Sequence, residues 1–292
     1  MNKVIVICGP TGVGKTKFSI ELAKIFDGEI INADSTQIYK MMNIGTAKIT
    51  EREKEGIRHH LIDIKNLFDD YTVFDYQRDC RQCINDILKR KKTPIIVGGS
   101  GLYIKAALYD YDFKQEEELY EYSQFSSAEL YAMLKEIDPE TSVHPNNRKR
   151  VERALSYYRN NKEPQSSIPK SETLLYDTVF IGLTMDREQL YEKINMRLES
   201  MMESGLLEEA HMLYISGIKS RALMTPICYK ELFSYFDGDI SLRDAIELIK
   251  QRSRKYAKRQ YTWFKNQMDV KWFEVDYNNF NKTIKNIKKE LS

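Results

Sequence analysis

Long hydrophobic runs and a strong excess of one charge are both absent from this chain of 292 residues. No apolar stretch approaches the ~18 residues that a membrane-crossing helix needs, so we expect no membrane protein. The formal charge of +2 is too small to indicate nucleic-acid binding by itself, so any basic surface must be local. The four cysteines include one Cys-x-x-Cys, at Cys80 and Cys83, without a second pair at zinc-site spacing, which favours reduced thiols. No signal-peptide pattern precedes the first apolar run, which predicts a cytoplasmic location.

A glycine-rich phosphate-binding pattern follows that first apolar run. Residues 4–7 predict a buried strand and residues 17–26 predict a helix. Between them, the pattern Gly-x-x-x-x-Gly-Lys-Thr occupies Gly9, Pro10, Thr11, Gly12, Val13, Gly14, Lys15 and Thr16. Glycines let backbone N–H groups turn around an anion, and the positive end of the helix dipole faces the same anion. Lys15 adds a charge and the Thr16 hydroxyl is placed to bind Mg²⁺, so this loop is predicted to hold a phosphate or pyrophosphate.

Strand and helix patterns alternate up to about residue 110. Further strands are predicted at 28–34, 60–64 and 93–98, with helices at 50–56 and 73–92. This alternation is typical of an α/β fold with a parallel sheet flanked by helices, as in P-loop NTPases. Ligands of such sheets bind beyond the C-terminal ends of the strands. Lys15, Asp34 and Ser100 each follow a predicted strand, so we expect them to face one cleft.

The pattern changes near Tyr111, where the strand signal disappears. The acidic run 116–118 opens a series of helix formers that reaches Ile137, and a capped helix is predicted from Asn147 to Tyr158. A buried strand at 178–183 then returns the chain to the sheet, and mostly helices follow, with a last strand at 271–273. We therefore predict an α/β core, 1–111 with 166–292, and a small helical insertion, 112–165.

The phosphate loop alone leaves the reaction open. A small-molecule kinase would use Asp34 to hold Mg²⁺ or to accept a hydroxyl proton. Basic residues crowd two predicted helices, and the second is rich in aromatics, which suits phosphate contacts and base stacking. These residues are Arg148, Lys149, Arg150 and Arg153, then Arg252, Arg254, Lys255, Lys258 and Arg259. Because the net charge is nearly balanced, each cluster alone is more often a solvated helix face, so the clusters do not decide between the classes.

Ordered motifs over nearly the whole chain resemble those of the tRNA dimethylallyltransferases, also called tRNA isopentenyltransferases. They lie at 9–16, 34–39, 44–48, 60–63, 98–103, 144–147, 153–155, 205–209, 229–231 and 259–263. The resemblance implies transfer of a dimethylallyl group from dimethylallyl pyrophosphate to the exocyclic amine of the adenine on the 3′ side of the anticodon. The pyrophosphate group of the donor binds in the nucleotide-binding loop, which would otherwise suit ATP, and it is released by the reaction. The implied cofactor is Mg²⁺.

The resemblance also implies roles for individual residues. Asp34 matches the proposed general base, although without the resemblance it is equally suited to a place near Mg²⁺. Arg197 matches an arginine that contacts the donor phosphates, and Ser100 stands where the family usually has a threonine that helps fix the acceptor adenine. The acceptor base must be extruded from the anticodon loop. The implied tRNA-binding residues are Asp34, Ser35, Thr36, Gln37, Ser100, Lys149, Arg150, Arg153, Tyr229 and Lys230.

Two positions depart from the family pattern. Cys228 replaces a glycine that usually precedes Tyr229, and Ile49 replaces a proline after Lys48. Both positions lie in segments expected near the RNA, so the local backbone there is left open.

Two other readings compete with the tRNA enzyme. An adenylate isopentenyltransferase would modify free AMP or ATP, but it would have no use for tRNA-type segments at 149–153 and 225–230. A non-catalytic, nucleotide-gated RNA-binding protein would leave Asp34 and Ser100 at the strand ends unexplained. The expected partners are therefore tRNA, bound through its anticodon stem-loop, and dimethylallyl pyrophosphate, and we expect a monomer.

Overall fold

A six-stranded parallel sheet is the centre of the fold in the computed structural model, which describes residues 3–110, 120–168, 173–276 and 279–291. The strands are Lys3–Cys8 (β1), Gly28–Asn32 (β2), His59–His60 (β3), Thr93–Gly98 (β4), Asp177–Thr184 (β5) and Lys271–Glu274 (β6). Their order is β3-β2-β4-β1-β5-β6, and every neighbouring pair is parallel. The predicted parallel α/β sheet is confirmed.

Helices connect the strands and make up most of the C-terminal third. In the described ranges they are Lys15–Ile25 (α1), Glu51–Lys54 (α2), Val73–Lys89 (α3), Gly101–Leu108 (α4), Ser127–Ile137 (α5), Arg148–Asn161 (α6), Arg187–Glu203 (α7), Leu206–Ile215 (α8), Arg221–Met224 (α9), Tyr229–Phe236 (α10), Leu242–Gln267 (α11) and Phe280–Leu291 (α12). Among these helices, none combines the length and the apolar character that crossing a membrane requires.

The sheet is covered on both faces, which explains the unbroken apolar run of β1. Val4 and Val6 belong to one hydrophobic cluster, which includes side chains of α3, α4, α8, α10 and α11. Ile5 and Ile7 point to the other face and belong to a second cluster, which includes side chains of α1 and α12. Successive residues of a strand alternate between faces, so a central parallel strand needs apolar residues at every position.

The strand predicted at 60–64 is shorter in the structure, since β3 ends at His60. Leu61 and Asp63 have φ angles of 60° and 56°, in the left-handed region, which is incompatible with an extended strand. The backbone N–H groups of Asp63 and Ile64 instead donate to the carbonyls of Gln37 and Ile38, at 3.2 and 2.9 Å. This stretch therefore follows the turn after β2 rather than the sheet.

The chain divides into two compact units, Met1–Tyr109 with Leu174–Ser292 and Asp110–Thr173. The first unit contains the whole sheet. In the second, α5 and α6 pack around a small apolar core that contains Tyr122, Leu130, Leu134, Val151 and Leu155. Of the predicted insertion at 112–165, residues 112–119 with the acidic run lie outside the described residues.

Arg148 has a structural role in the second unit, although it belongs to the first basic cluster of the sequence. Its guanidinium donates to the carbonyls of Tyr122 and Phe125, both at 2.8 Å, and to the Glu152 carboxylate at 2.7 Å. It thereby ties the segment before α5 to the first turn of α6.

Candidate active site

The loops after β1, β2 and β4 meet at one edge of the sheet, because these three strands are parallel neighbours. A cavity of about 520 Å³ opens there, lined by Lys15, Thr16, Asp34, Arg197 and Gln260 among others. A second cavity, of about 250 Å³, shares Thr11, Asp34 and Arg197 with the first. The structure thus brings Lys15 and Asp34 to one cleft, and Asp34 borders both cavities.

The phosphate loop, residues 9–16, has the backbone of an anion site. Gly9, Gly12 and Gly14 have φ angles of 138°, 86° and 94°, which residues other than glycine rarely adopt. No described side chain caps α1 at Gly14, and the first turn of that helix has no acidic residue. The first N–H groups of a helix and its dipole attract an anion when nothing else satisfies them. The local structure is therefore suited to a phosphate or pyrophosphate.

Lys15 lies over this loop, and its surroundings shift its ionisation. Its Nζ donates to the carbonyls of Gly9 and Pro10, at 3.0 and 2.8 Å. Burial, followed by the positive charge of Arg197, lowers the pKa of Lys15 to about 8, while the Asp34 carboxylate acts in the opposite direction. A bound anion would favour the protonated form. Two cations next to the loop therefore favour a multiply charged anion there.

Thr11 is held from two sides by residues that are distant in the sequence. Arg197 of α7 donates from Nη1 to Thr11 Oγ1 at 3.1 Å. Gln260 of α11 accepts from Thr11 N at 2.8 Å and donates from Nε2 to the Gly99 carbonyl at 3.1 Å. Sequence reasoning assigned no role to Gln260. The only signal for it was its place in the motif at 259–263.

The turn that carries Asp34, residues 32–36, is fixed by its own side chains. The Asn32 amide donates to the carbonyls of Asp34 and Leu61, both at 3.0 Å, and accepts from Asp34 N at 3.0 Å. Asp34 Oδ1 accepts from Thr36 N at 3.0 Å and from Thr36 Oγ1 at 2.7 Å. These bonds orient the Asp34 carboxylate at the border of the two cavities. Asn32 is a second residue that sequence reasoning missed.

Ser100 lies beside the cavities rather than in their lining. Its Oγ accepts from Ser35 N at 3.1 Å, and its N–H donates to the Ala33 carbonyl at 3.1 Å. The glycines before it are required by close approach, since a Cβ at Gly98 would lie 2.1 Å from the Ala33 carbonyl oxygen. Residues 98–100, hereafter the β4 turn, are thereby packed directly against the Asp34 turn.

The segment 43–48 lines both cavities and is held by one carboxylate of α8. Glu209 accepts three successive backbone N–H groups, those of residues 43–45, at 2.9 to 3.0 Å, and also the Tyr229 hydroxyl at 2.8 Å. On the other side, Gln37 donates to the carbonyls of Thr46 and Ala47, at 3.0 and 3.2 Å. Gln37 therefore supports this segment as well as lining the first cavity.

The predicted contact of Tyr229 with tRNA does not fit the structure. Its side chain is 0% exposed, and its ring lies where a Cβ at Gly45 would come within 2.5 Å. A buried ring whose hydroxyl is bonded to Glu209 has no surface to offer to RNA. Tyr229 instead supports the segment 43–48 from below.

The two departures from the family pattern have clear structural settings. Cys228 has a φ of 126°, in the region that favours glycine, and its buried Sγ lies 3.7 Å from the Gly45 carbonyl oxygen. Burial, followed by the charge of Glu231, raises the pKa of this thiol to about 12, so it stays protonated. Ile49 lines the first cavity and packs against the hydrophobic cluster that includes α1.

The basic residues of the sequence fall into two kinds of setting. Lys149, Arg150 and Arg153 are exposed on α6 in the second unit, and Lys230 is exposed on α10 in the first. In the second basic cluster of the sequence, two arginines bond to other side chains of the protein. Arg252 pairs with Glu231, and Arg254 donates to Asn195 Oδ1.

The oxygen groups in the first cavity suit Mg²⁺ only together with a phosphate substrate. Mg²⁺ keeps several waters and is held by one or two protein oxygens plus substrate phosphates. Thr16 is exposed and lines this cavity with Asp34. Over the described part of the chain, no three His, Cys, Asp or Glu side chains are grouped to hold a metal ion. The donor set fits an ion that arrives with the substrate.

Comparisons with known proteins agree over most of the chain. The family model described as IPP transferase matches residues 37–267. A tRNA dimethylallyltransferase from Anoxybacillus flavithermus is 50% identical over 282 residues, which are 94% of this chain and 91% of the relative. A tRNA delta(2)-isopentenylpyrophosphate transferase from Staphylococcus epidermidis has a similar structure, with a TM-score of 0.76, 42% identity and coverage of 99% and 98%. A eukaryotic dimethylallyltransferase acting on tRNA has a TM-score of 0.83 at 31% identity, covering 98% of this chain and 77% of that one.

Proposed function

Because the chain belongs to the IPP transferase family, we propose that it moves a dimethylallyl group from dimethylallyl pyrophosphate to the adenine on the 3′ side of the anticodon. It is an enzyme, a tRNA dimethylallyltransferase, and tRNA is its substrate. In the proposed reaction, the bond between C1 of the donor and its pyrophosphate oxygen breaks. A bond from C1 to the exocyclic nitrogen forms, and that nitrogen loses one proton.

The observation that carries this proposal is that Asp34 lines two cavities that share several other lining residues. The larger cavity contains the phosphate loop and Lys15, which suit the pyrophosphate of the donor. The smaller cavity shares Asp34 and Arg197 with it and offers a separate seat for the acceptor base. A transfer between two substrates needs such a border, where the reacting atoms meet.

The residues at this border have chemistry that matches the two halves of the reaction. The leaving pyrophosphate gains negative charge, which prearranged donors stabilise: the loop N–H groups, Lys15 and Arg197. Asp34 is the group that takes the proton from the adenine amine as the new bond forms. The Thr16 hydroxyl would hold Mg²⁺, which would neutralise charge on the leaving group when bound.

The similarity to tRNA enzymes along the whole chain favours tRNA over free AMP or ATP, and an active enzyme over a protein that only binds RNA. We propose that Ser35 and Thr36, which line the smaller cavity, contact the extruded base. We also propose a monomer. The proposed location is the cytoplasm, where tRNA is available.

A transfer assay tests the proposal. Labelled dimethylallyl pyrophosphate and Mg²⁺ are offered to unmodified tRNA with adenines 3′ of its anticodon, and to AMP in parallel. Label on the tRNA adenine alone supports the proposed reaction, whereas label on AMP alone would assign the enzyme to free nucleotides. If folded protein binds tRNA but transfers no label, the protein would be a non-catalytic RNA-binding protein instead.

The same assay tests Asp34. Asp34→Asn keeps the size of the side chain but removes the base, so the single-turnover rate should fall by about 10²-fold or more while tRNA affinity is kept. Asp269→Asn, at an exposed position after α11, is the matched control and should leave the rate unchanged. A D34N rate equal to that of the control would remove Asp34 from the proposed mechanism.

A further inference from the structure

We propose that Gln260 is a positioning residue that fixes the phosphate loop and the β4 turn relative to each other for the transfer step. The inference rests on the proposed transfer reaction, because it assigns a task within that reaction. Gln260 is 5% exposed on α11, and both ends of its amide are used. The Oε1 atom accepts from Thr11 N at 2.8 Å, and Nε2 donates to the Gly99 carbonyl at 3.1 Å.

On the donor side, Gln260 decides how the phosphate loop presents its backbone. The Thr11 N–H is directed to the Gln260 amide, and the Thr11 hydroxyl accepts from Arg197 at 3.1 Å. Thr11 is thus clamped between α7 and α11. Because Thr11 lies in the middle of the loop at 9–16, this clamp fixes the orientation of the N–H groups that follow it.

On the acceptor side, Gln260 is seated directly against the β4 turn. A Cβ at Gly99 would lie 2.0 Å from Gln260 Nε2, so the amide occupies the space that glycine leaves open. The next residue, Ser100, accepts from Ser35 N at 3.1 Å, and Ser35 follows Asp34 in the chain. Two hydrogen bonds, from Gln260 to Gly99 and from Ser35 to Ser100, therefore link the amide to the turn that carries the proposed base.

The same helix also reaches the second cavity. Tyr256, one turn before Gln260 on the same helix, lines that cavity. Burial, followed by the Asp34 charge, raises the pKa of the Tyr256 phenol, which keeps it neutral beside the carboxylate. One stretch of α11 thus contacts the donor loop, the β4 turn and the acceptor cavity.

The rate of a displacement reaction is sensitive to the relative position of the two loops that bind its substrates. Each loop can bind its own substrate independently, but the reacting carbon and nitrogen must approach to about 3–3.5 Å in line. A misplacement of about 1 Å can slow a reaction about 10²-fold. Loss of the Gln260 bridge should therefore lower the rate of the transfer step and leave the two binding affinities nearly unchanged.

Two variants separate this role from binding. Gln260→Leu removes both hydrogen bonds, and Gln260→Glu keeps the acceptor for Thr11 N but removes the donor to Gly99. For both, we expect the single-turnover rate at saturating substrates to fall about 10-fold or more, with less than about 3-fold change in the KM of tRNA and of the donor. The control is Gln267→Leu, at an exposed position on the same helix, which should keep the wild-type rate.

The pH dependence of Gln260→Glu gives a second readout. A protonated carboxylic acid has one O–H donor and one free acceptor, so it can restore both hydrogen bonds. The rate of Q260E relative to the wild type should therefore rise as the pH is lowered, whereas the relative rate of Q260L should stay constant. If Q260L does not fold, the rate and pH profile of Q260E alone decide the question.

The inference would be overturned by a wild-type rate in both variants, or by a loss confined to the KM of one substrate. A Q260E profile parallel to that of Q260L would also overturn it. Failure of the proposed reaction itself would look different, because the wild-type enzyme would then transfer no label to tRNA.

Discussion

Lys15 shows how burial and a neighbouring cation set the pH range of an anion site. Its pKa of about 8, lowered from 10.5 by burial and then by Arg197, means that the free enzyme loses this charge as the pH rises through 8. Pyrophosphate binding favours the protonated form, so affinity should decrease above that pH. We expect the advantage of the wild type over Lys15→Met in pyrophosphate affinity to shrink about tenfold between pH 7.5 and 9.5.

Titration calorimetry of both proteins over this pH range measures that ratio. Comparison with the neutral Met variant removes the ionisation of pyrophosphate itself from the result. A ratio that stays constant up to pH 9.5 would contradict the shifted pKa of Lys15.

Cys228 carries a conformational cost that a glycine would not have. A non-glycine residue at its φ of 126° costs on the order of 1–3 kcal/mol, and glycine is disfavoured by only about 0.5–1 kcal/mol through the unfolded chain. Cys228→Gly should therefore be more stable than Cys228→Ala by about 1 kcal/mol, although both lose the same thiol. Urea unfolding of the two variants gives the difference, and an alanine variant of equal or greater stability would contradict the strain.

The residues that sequence reasoning found and those it missed differ in how far their partners lie along the chain. The phosphate loop, with Lys15, was predictable because its chemistry is written in eight successive residues. Asp34 was predictable because it follows a strand. The role of Gln260 depends on its hydrogen bond to Thr11, 249 positions away in the sequence, and that of Glu209 on its hydrogen bond to Gly45, 164 positions away. No local pattern encodes contacts of that kind.

At the scale of elements, the segment 43–48 depends on α8. Glu209 satisfies three backbone N–H groups of this segment, which itself lies outside the strands and helices. Hydrogen bonds to a charged group contribute about 1.5–3 kcal/mol each. We expect Glu209→Ala to lower kcat/KM for tRNA about 10²-fold, because the segment lines both cavities, and to lower the melting temperature as well.

Steady-state kinetics and thermal unfolding check this prediction. Glu208→Ala, the exposed neighbour on the same helix, is the matched control and should behave as the wild type. Glu209→Gln, which keeps part of the acceptor set, should fall between the two. Equal kcat/KM values for the alanine variants at 208 and 209 would rule out this support.

A long helix with clear periodicity was predicted well, whereas one short strand was not. The helix predicted at 73–92 is α3, which spans Val73–Lys89 in the structure, whereas the strand predicted at 60–64 ends at His60. The apolar residues Leu61, Ile62 and Ile64 suggested a strand, but the left-handed backbone at Leu61 and Asp63 is imposed by hydrogen bonds to the turn after β2. Tertiary contacts override local propensity most easily in short segments.

At the scale of the whole molecule, the chemistry and the proposed grip on the anticodon stem-loop belong to different units. All the described residues that line the two cavities lie in the first unit, whereas Lys149, Arg150 and Arg153 lie on α6 of the second. The near-zero net charge gives no indication of this basic helix, since exposed cations on one helix do not alter the overall balance. A substitution on α6 should therefore change tRNA affinity without altering the transfer step.

Arg150→Gln tests this division through its salt dependence. Each lost phosphate contact should reduce the slope of log affinity against log salt by about 0.7–0.9, because fewer counterions are released on binding. We expect weaker tRNA binding by R150Q at low salt, a shallower slope, and an unchanged single-turnover rate at saturating tRNA. Lys135→Gln, which removes an exposed charge from α5 of the same unit, should keep the wild-type slope. If R150Q and K135Q had the same slope as the wild type, α6 would be a solvated face and the stem-loop would be gripped elsewhere.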